Sequence, residues 1–454
     1  MAIPVASMSE EHLHFEVLPW SQRCNIKLSQ FDLLLRQSWD DALKKGVFLH
    51  EVESEPSRVE GDRKFVAVLC RNRASQKRKP QSFMSIKQPI NSTSFNFTKV
   101  KEAEKLFTIG IENIEDITSS ETPEEVGFEG NSNKCDNFTN GNIDSERQHS
   151  TVPSFFKTSI IINNSPYEFG HSLLVPELDK LHIQSITLNA IKMGIEVLLR
   201  SSHTGFRVMY NSLCAGASVN HLHLHCYYTE YWLNSEAFRM IPLLDEFSSE
   251  KNCKNVLSDC FELDFNDSCV RGFGFLITKQ NYAFRLPLIT HKIVEYFNAN
   301  EIPHNIVIIR GLPPCGTDYN AHSHCLNRVS NGQNSLSDKN GVSQYSNIPE
   351  IKDDATPYHG LKDIDPKVSS IPLVGRLYIY PRKPLYGEKC YRKFLVNVTE
   401  LMGHLYFGDI DVFNSMNEND IMKALNDVSL SSSEFENVKT DVIKIILSCD
   451  KSFQ

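Results

Sequence analysis

The chain has 454 residues, of which 41% are apolar and 23% charged, as is usual for a folded globular protein. It contains no run of about 18 apolar residues, so we expect no transmembrane helix, and we expect no secretory signal at its start. The twelve cysteines form no C-x-x-C pair. That spacing argues against a zinc ribbon or a thioredoxin-type site and favours free thiols in a reducing cytoplasm.

The net charge of −9 is unevenly distributed. Segment 111–152 holds ten acidic and two basic residues, a balance of −8, so the rest of the chain carries only −1. Segment 71–105 holds nine basic and two acidic residues, a balance of +7. A nearly neutral body with one basic stretch fits a small anionic ligand better than a nucleic acid or a membrane surface.

Two long segments have the composition of disordered inserts. Residues 111–152 and 316–370 are rich in small polar residues and show no apolar periodicity. Without them about 350 residues remain, enough for two domains. We predict an N-terminal domain over 15–229 and a C-terminal domain over 230–454, each carrying one insert.

The helices and strands alternate along the rest of the chain. The first predicted helix, Phe31–Lys45, ends at Gly46 and turns Leu34, Leu35, Trp39, Ala42 and Leu43 inward. A long helix over Glu177–Ser201 has its apolar face at Leu181, Leu188, Ile191, Ile195 and Leu198. Further helices are predicted at Pro287–Asn300, Phe394–Met402, Glu418–Asp427 and Glu434–Leu447. Strands are predicted at Phe65–Cys70, Phe95–Phe97, Leu106–Phe107, Ser159–Ile162, Gly170–Pro176, Phe206–Tyr210, Ser218–Tyr228, Phe273–Thr278, Asn305–Arg310 and Arg376–Tyr380. This mixture predicts an α+β fold.

Three histidines alternate along the strand predicted at Ser218–Tyr228. Successive side chains of a strand point to opposite faces, so His221, His223 and His225 are expected to share one face. Leu222, Leu224 and Cys226 then face the core.

Three interpretations of this pattern are open. Histidines at alternate positions can converge on zinc, one of them can act as a nucleophile, or all three can be half-exposed strand residues without a role. Strict alternation makes the last interpretation the weakest. The small polar residues Asn211, Gly216 and Ser218 lie just upstream and offer donors to phosphate oxygens, which favours phosphorus chemistry over a metal.

Five segments around these histidines follow the pattern of a known family: Phe95–Val100, Ser165–His171, Gly205–Leu213, Ala217–His225 and Pro303–Gly311. They resemble the GDP-D-glucose phosphorylase family, a branch of the histidine-triad superfamily. Galactose-1-phosphate uridylyltransferase and the plant GDP-L-galactose phosphorylases are related to it. The resemblance implies a histidine-triad-like antiparallel sheet with flanking helices, arranged as two related halves. The plant branch has glutamine where this chain has His225, and Cys226 stands where a small glycine is expected.

The resemblance also implies roles for individual residues. His223 is the nucleophile, flanked in the triad by His221 and His225. Asn211, Gly216, Ser218 and His225 contact the phosphate. Asn163 occupies the ribose-contacting position, although it could equally form the turn before Pro166, and His171 is expected to hold neighbouring backbone. From the basic stretch we take Lys99 as the candidate that holds inorganic phosphate.

The family implies an enzyme that converts GDP-D-glucose and phosphate to GDP and D-glucose 1-phosphate through a covalent GMP–histidine intermediate. Such a nucleotidyltransferase would control GDP-D-glucose in the cytoplasm, without a cofactor or catalytic metal. One alternative is a histidine-triad hydrolase that releases GMP. Another is a non-catalytic protein that binds a metal or a guanine nucleotide. Related proteins are often dimers, so a homodimer is a further expectation.

Overall fold

The computed structural model describes residues 5–6, 13–50, 55–76, 78, 80–113, 155–243, 259–314, 370–386 and 394–451. The strands in these residues are β1 (Val5–Ala6), β2 (Glu16–Val17), β3 (Glu55–Arg58), β4 (Val66–Leu69), β5 (Lys105–Glu112), β6 (Phe155–Ile162), β7 (Ser172–Pro176), β8 (Phe206–Asn211), β9 (Leu224–Tyr228), β10 (Met240–Pro242), β11 (Cys260–Leu263), β12 (Phe273–Leu276), β13 (His304–Gly311), β14 (Leu373–Pro381) and β15 (His404–Phe407).

The α-helices vary from a single turn to five turns. They are α1 (Gln30–Lys44), α2 (Arg71–Gln76), α3 (Leu188–Arg200), α4 (Phe265–Ser268), α5 (Arg285–Ala299), α6 (Val398–Leu401), α7 (Ile410–Ser415), α8 (Glu418–Val428) and α9 (Ser432–Lys451). Within the described ranges, none of them combines the length and the apolar character needed to cross a membrane.

Twelve strands form one large sheet in the order β1-β5-β6-β7-β9-β8-β13-β14-β12-β11-β10, with β2 paired to β14. Its pairs are antiparallel apart from β1 with β5. A small second sheet has the order β15-β4-β3. The predicted α+β class, with an antiparallel sheet and flanking helices, is confirmed.

Apolar side chains cover both faces of the large sheet. On one face α1, α3, α5 and α9 bury their apolar sides in a shared core. On the other face the small sheet packs together with α6 and α8. Because β9 lies near the centre of the large sheet, its alternate side chains point into these two layers.

The first helix is predicted almost correctly and is tied to β9. Ser29 and Asp32 form a reciprocal capping box at its start. The Asp32 carboxylate also accepts hydrogen bonds from the hydroxyls of Ser201 and Tyr228, at 2.6 and 2.8 Å. Four of the five inward positions are buried or packed on the core, whereas Leu43 is 40% exposed, so its assignment to the core is wrong.

The helix predicted over Glu177–Ser201 is wrong in its first half. It begins at Leu188, after Thr187 caps it by accepting from the Ala190 N–H. Glu177 has φ +43°, a left-handed conformation that a helix does not contain, and Leu181 is 47% exposed. The remaining apolar positions, from Leu188 to Leu198, are buried as expected.

Three predicted elements differ more. Phe95–Phe97 is not a strand, because residues Phe97–Lys99 form a 3-10 helix capped by the Asn96 side chain. The histidine strand begins at Leu224, so residues 218–223 are irregular, with bends at 219–221. The helix predicted at Phe394–Met402 is a single turn, Val398–Leu401. In each case contacts with residues distant in sequence replace the regular backbone hydrogen bonds that the local pattern predicts.

The inserts lie almost entirely outside the described residues. Residues 111–113 complete β5 and its end, and residue 370 precedes β14. The domain boundary near residue 230 stays a prediction. In the large sheet, β8 pairs directly with β13, so strands before and after that boundary share one layer.

Candidate active site

A cavity of about 500 Å³ opens between the large sheet and the small sheet. Strands β6, β7 and β9 contribute to one wall, and the ends of β4 and β15 with α6 contribute to the other. Six of the nine sequence-predicted site residues border it: Asn163, Asn211, Gly216, Ser218, His223 and His225. The other three, Lys99, His171 and His221, are not part of its lining.

His223 is held rigidly at the cavity wall. Its Nδ1 lies 2.8 Å from the His221 carbonyl oxygen and 2.9 Å from Oε1 of Gln184. Both partners are acceptors, so Nδ1 carries a ring proton, and whenever the ring is neutral its lone pair is on Nε2. The ring also packs against Phe97, with the ring centroids 4.9 Å apart. The arrangement suits an imidazole that acts as a nucleophile through Nε2.

Gln184 holds the His223 ring in this orientation, and the sequence analysis did not identify it. Its Oε1 also accepts from the His223 backbone N–H at 2.9 Å. Its Nε2 donates to the carbonyl oxygens of Asn211 and His223, at 2.8 and 3.1 Å. The side chain is buried and therefore joins the segment before β9 to the end of β8. No local motif marks this residue, because its partners are 27 and 39 positions away.

His225 is positioned by the buried His171. Nδ1 of His225 lies 3.2 Å from Nε2 of His171, and Nδ2 of Asn163 lies 3.1 Å from the same nitrogen. Burial, followed by the nearby His225 and Arg73, lowers the pKa of His171 well below its usual value. His171 is thus a neutral ring in contact with His225 and Asn163, and its expected role of holding neighbouring backbone stays a prediction.

Gly216 brings the backbone close to two cavity amides. Its φ is +112°, and a Cβ at this position would lie 2.6 Å from Oδ1 of Asn397 and 2.9 Å from Oδ1 of Asn211. Asn211 Oδ1 accepts from Asn305 Nδ2 at 2.8 Å and from the Val398 N–H at 3.1 Å. A residue larger than glycine would therefore displace the loop that borders the cavity beside Ser218.

Two sequence-predicted residues lie elsewhere. His221 is fully buried, and its Nδ1 accepts from the Phe97 N–H at 3.0 Å. The expectation that all three histidines share one strand face is wrong, since the strand begins at Leu224 and contains only His225; His223 borders the cavity from outside the strand, and His221 does not border it. Lys99 Nζ donates to the carbonyl oxygens of Ser92 and Ser94, at 3.1 and 2.7 Å, so the structure does not bring it to the cavity.

The burial of His221 and His304 predicts that the folded protein becomes less stable as the pH falls. Burial lowers the pKa of His221 and of His304 to about 4. Between pH 4 and 6.5 the unfolded chain therefore binds more protons than the folded one, so the stabilisation present above pH 6.5 is lost as the pH falls. We expect the free energy of unfolding to drop by roughly 2–4 kcal/mol from pH 7 to pH 5, measured by urea unfolding.

The matched variant for this test is His304→Gln. His304 Nδ1 donates to the Ile302 carbonyl at 3.0 Å, and glutamine can keep a donor there without titrating. The variant should be less stable at pH 7 but should lose less stability between pH 7 and pH 5. A pH dependence as steep as that of the wild type would contradict this origin.

The structure adds cations that the sequence did not single out. Arg73 and Arg78 both border the cavity. Arg78 lies over the Phe95 ring, 3.4 Å from its centroid, and burial lowers its pKa although Glu104 opposes the shift. Cys70 also borders the cavity, but burial raises the pKa of its thiol to about 12, so it remains protonated. Among the described residues, no group of three or more His, Cys, Asp or Glu side chains is arranged to hold a metal ion.

Fold and site together define an α+β protein whose histidine-bordered cavity carries cations and amides suited to a phosphate-bearing ligand. Residues 30–128 and 135–227 match the family model described as "GDPGP1-like, N-terminal domain", and residues 375–449 match "GDPGP1-like, C-terminal domain". These matches span more than half of the chain, which therefore belongs to the GDPGP1-like family.

Relatives and a solved structure extend this comparison. The chain is 27% identical over 449 residues to "GDP-D-glucose phosphorylase 1" of Xenopus laevis, covering 97% of this chain and 95% of the relative. It is 32% identical over 198 residues to "GDP-L-galactose phosphorylase 1" of Arabidopsis thaliana, covering 43% and 39%. The crystal structure of yeast Ap4A phosphorylase Apa2 in complex with Ap4A overlays at 11% identity with a TM-score of 0.46, covering 88% of this chain and 98% of that chain. That overlay is too loose to transfer any property.

Proposed function

We propose that this chain is a nucleotidyltransferase that converts GDP-D-glucose and inorganic phosphate to GDP and D-glucose 1-phosphate. Full-length relatives bear the name GDP-D-glucose phosphorylase 1. The observation that carries the proposal is the state of His223, whose Nδ1 proton is committed to two oxygens in a ring that borders the cavity. An imidazole in that state offers Nε2 as the nucleophile.

The first half-reaction forms a bond between Nε2 of His223 and the α-phosphorus of GDP-D-glucose. The bond from this phosphorus to the oxygen of the β-phosphate breaks, and D-glucose 1-phosphate departs with the electron pair. Its phosphate has a second pKa of about 6, so it leaves readily without a strong acid. The product on the protein is a GMP–His223 phosphoramidate.

The second half-reaction reverses the bonding with a different acceptor. An oxygen of inorganic phosphate attacks the same phosphorus, the P–N bond breaks, and Nε2 of His223 recovers its electron pair as GDP forms. In the proposal Ser218, His225 and the amide of Asn211 contact the phosphoryl oxygens. Gly216 allows the backbone to approach them, and Asn163 contacts the ribose.

We place the reaction in the cytoplasm. The described cysteines, Cys24, Cys70, Cys214, Cys226, Cys260, Cys269 and Cys449, are all free thiols, which is typical of a reducing compartment. The homodimer stays a prediction.

The products identify the reaction. GDP-D-glucose carrying a labelled α-phosphate is incubated with the protein, with and without inorganic phosphate, and the nucleotides are separated. We expect labelled GDP in amounts equal to the D-glucose 1-phosphate released, and only when phosphate is present. GMP as the main product at millimolar phosphate would instead indicate the hydrolase, and no turnover would indicate a binding protein. ADP-glucose is the matched substrate that tests the base.

A further inference from the structure

Among the described residues, the cavity lining includes one arginine, Arg73, that forms no ion pair with a carboxylate. Arg73, on α2, donates from Nε to the Ser165 carbonyl oxygen at 3.0 Å. The face of its guanidinium lies 5.2 Å from the centroid of the Tyr167 ring. Among the described residues it makes no ion pair and no second hydrogen bond, so its two terminal nitrogens keep their donors. The Nε of the group is held by the Ser165 carbonyl oxygen, its Cζ lies over the Tyr167 ring, and Arg73 borders the cavity.

Arg73 belongs to the histidine end of the cavity. The Tyr167 ring on which it rests also packs on His171, with centroids 3.9 Å apart, and His171 contacts His225. Its positive charge acts on the same group of residues, because it lowers the pKa of His171 after the larger effects of burial and His225. The guanidinium therefore acts on His171, which contacts the cavity residue His225.

The other cations are less suited to an anion at this place. Arg78 is stacked on Phe95, and Glu104 lies near enough to oppose its pKa shift. Lys99 is engaged by two backbone carbonyls outside the cavity lining. A planar guanidinium with two available donors matches two phosphate oxygens, and it binds such an anion more specifically than a lysine does.

We propose that Arg73 binds inorganic phosphate in the second half-reaction and so selects phosphate over water as the acceptor. This inference rests on the proposed function. Phosphate oxygen attacks the phosphorus of the GMP–His223 adduct, the P–N bond breaks, and GDP leaves. If water attacks instead, the products are GMP and a proton. The departing D-glucose 1-phosphate uses the same face of the phosphorus, so Arg73 also contacts its phosphate in the first half-reaction.

The role of Arg73 is tested by how the GMP–His223 intermediate divides between attack by phosphate, which gives GDP, and attack by water, which gives GMP. With α-labelled GDP-D-glucose, the ratio of GDP to GMP is measured as inorganic phosphate is varied. We expect the slope of this ratio against phosphate concentration to fall roughly 10- to 100-fold in Arg73→Gln, the loss that charged hydrogen bonds typically produce. Arg73→Lys should lie between the two. The ratio does not depend on the amount of active protein, so a partly folded variant still reports it.

The matched control is Arg71→Gln, the same substitution at an exposed position of α2 outside the cavity lining. It should keep the wild-type slope. A wild-type slope in Arg73→Gln would overturn the role of Arg73 while leaving the phosphorylase intact. A wild-type protein that forms neither GDP nor GMP would overturn the proposed function, and with it this inference.

Discussion

Replacing His223 with asparagine should reduce turnover of GDP-D-glucose by on the order of 10⁴-fold or more, because it removes the imidazole nitrogen that we propose forms the phosphorus–nitrogen bond. Turnover is measured as release of D-glucose 1-phosphate. His223 is only 2% exposed and bonded to Gln184, so the variant should also lose about 1–2 kcal/mol of stability. A circular dichroism melt separates that modest loss from the loss of activity.

The covalent intermediate provides the sharper readout for His223. Without phosphate, wild-type protein and α-labelled GDP-D-glucose should yield a label that survives alkali and is lost in acid, as a phosphoramidate does. His223→Asn should carry none. The matched control is His291→Asn on α5, outside the cavity lining, which should label normally. Label on the His223 variant, or its full activity, would refute the assignment of the nucleophile.

Among residues outside the cavity lining, we expect substitution of Gln184 to reduce activity most. Gln184→Met has a similar volume but removes four hydrogen bonds that tie His223 to the end of β8. It leaves buried donors and acceptors of the backbone unpaired and removes one of the two acceptors that orient the His223 ring. We expect kcat to fall on the order of 100-fold, with a smaller change in KM, measured by steady-state kinetics.

A charged replacement distinguishes positioning of His223 from general structural support. In Gln184→Glu a carboxylate accepts from Nδ1 and stabilises the protonated ring, so the pKa of His223 rises. Because the nucleophile must be unprotonated, the acidic limb of the kcat/KM profile should move about one pH unit higher. The exposed Gln37→Glu on α1 is the control and should leave the profile in place. An unshifted limb in Gln184→Glu, together with an unchanged kcat in Gln184→Met, would mean that Gln184 does not act on His223.

Local patterns determined a large part of the site. The alternation at Leu222, Leu224 and Cys226 correctly placed these residues in the core, which puts His225 on the cavity side. The short polar loop that precedes β9 supplied Asn211, Gly216 and Ser218, and all three border the cavity. These signals can be read from sequence because each depends on neighbouring residues, through strand periodicity or turn chemistry.

Other parts of the site depend on partners that are distant in sequence. Nine basic residues lie between 71 and 105, and nothing local distinguishes Arg73, which reaches the cavity, from Lys99, which does not. Gln184 acquires its role only when β8 and the segment before β9 are brought together. His221 is buried in contact with Phe97 and does not border the cavity as His223 does. Composition and periodicity thus determined the fold class and the side of the sheet on which His225 lies, whereas long-range packing decided which cation borders the cavity and which amide holds His223.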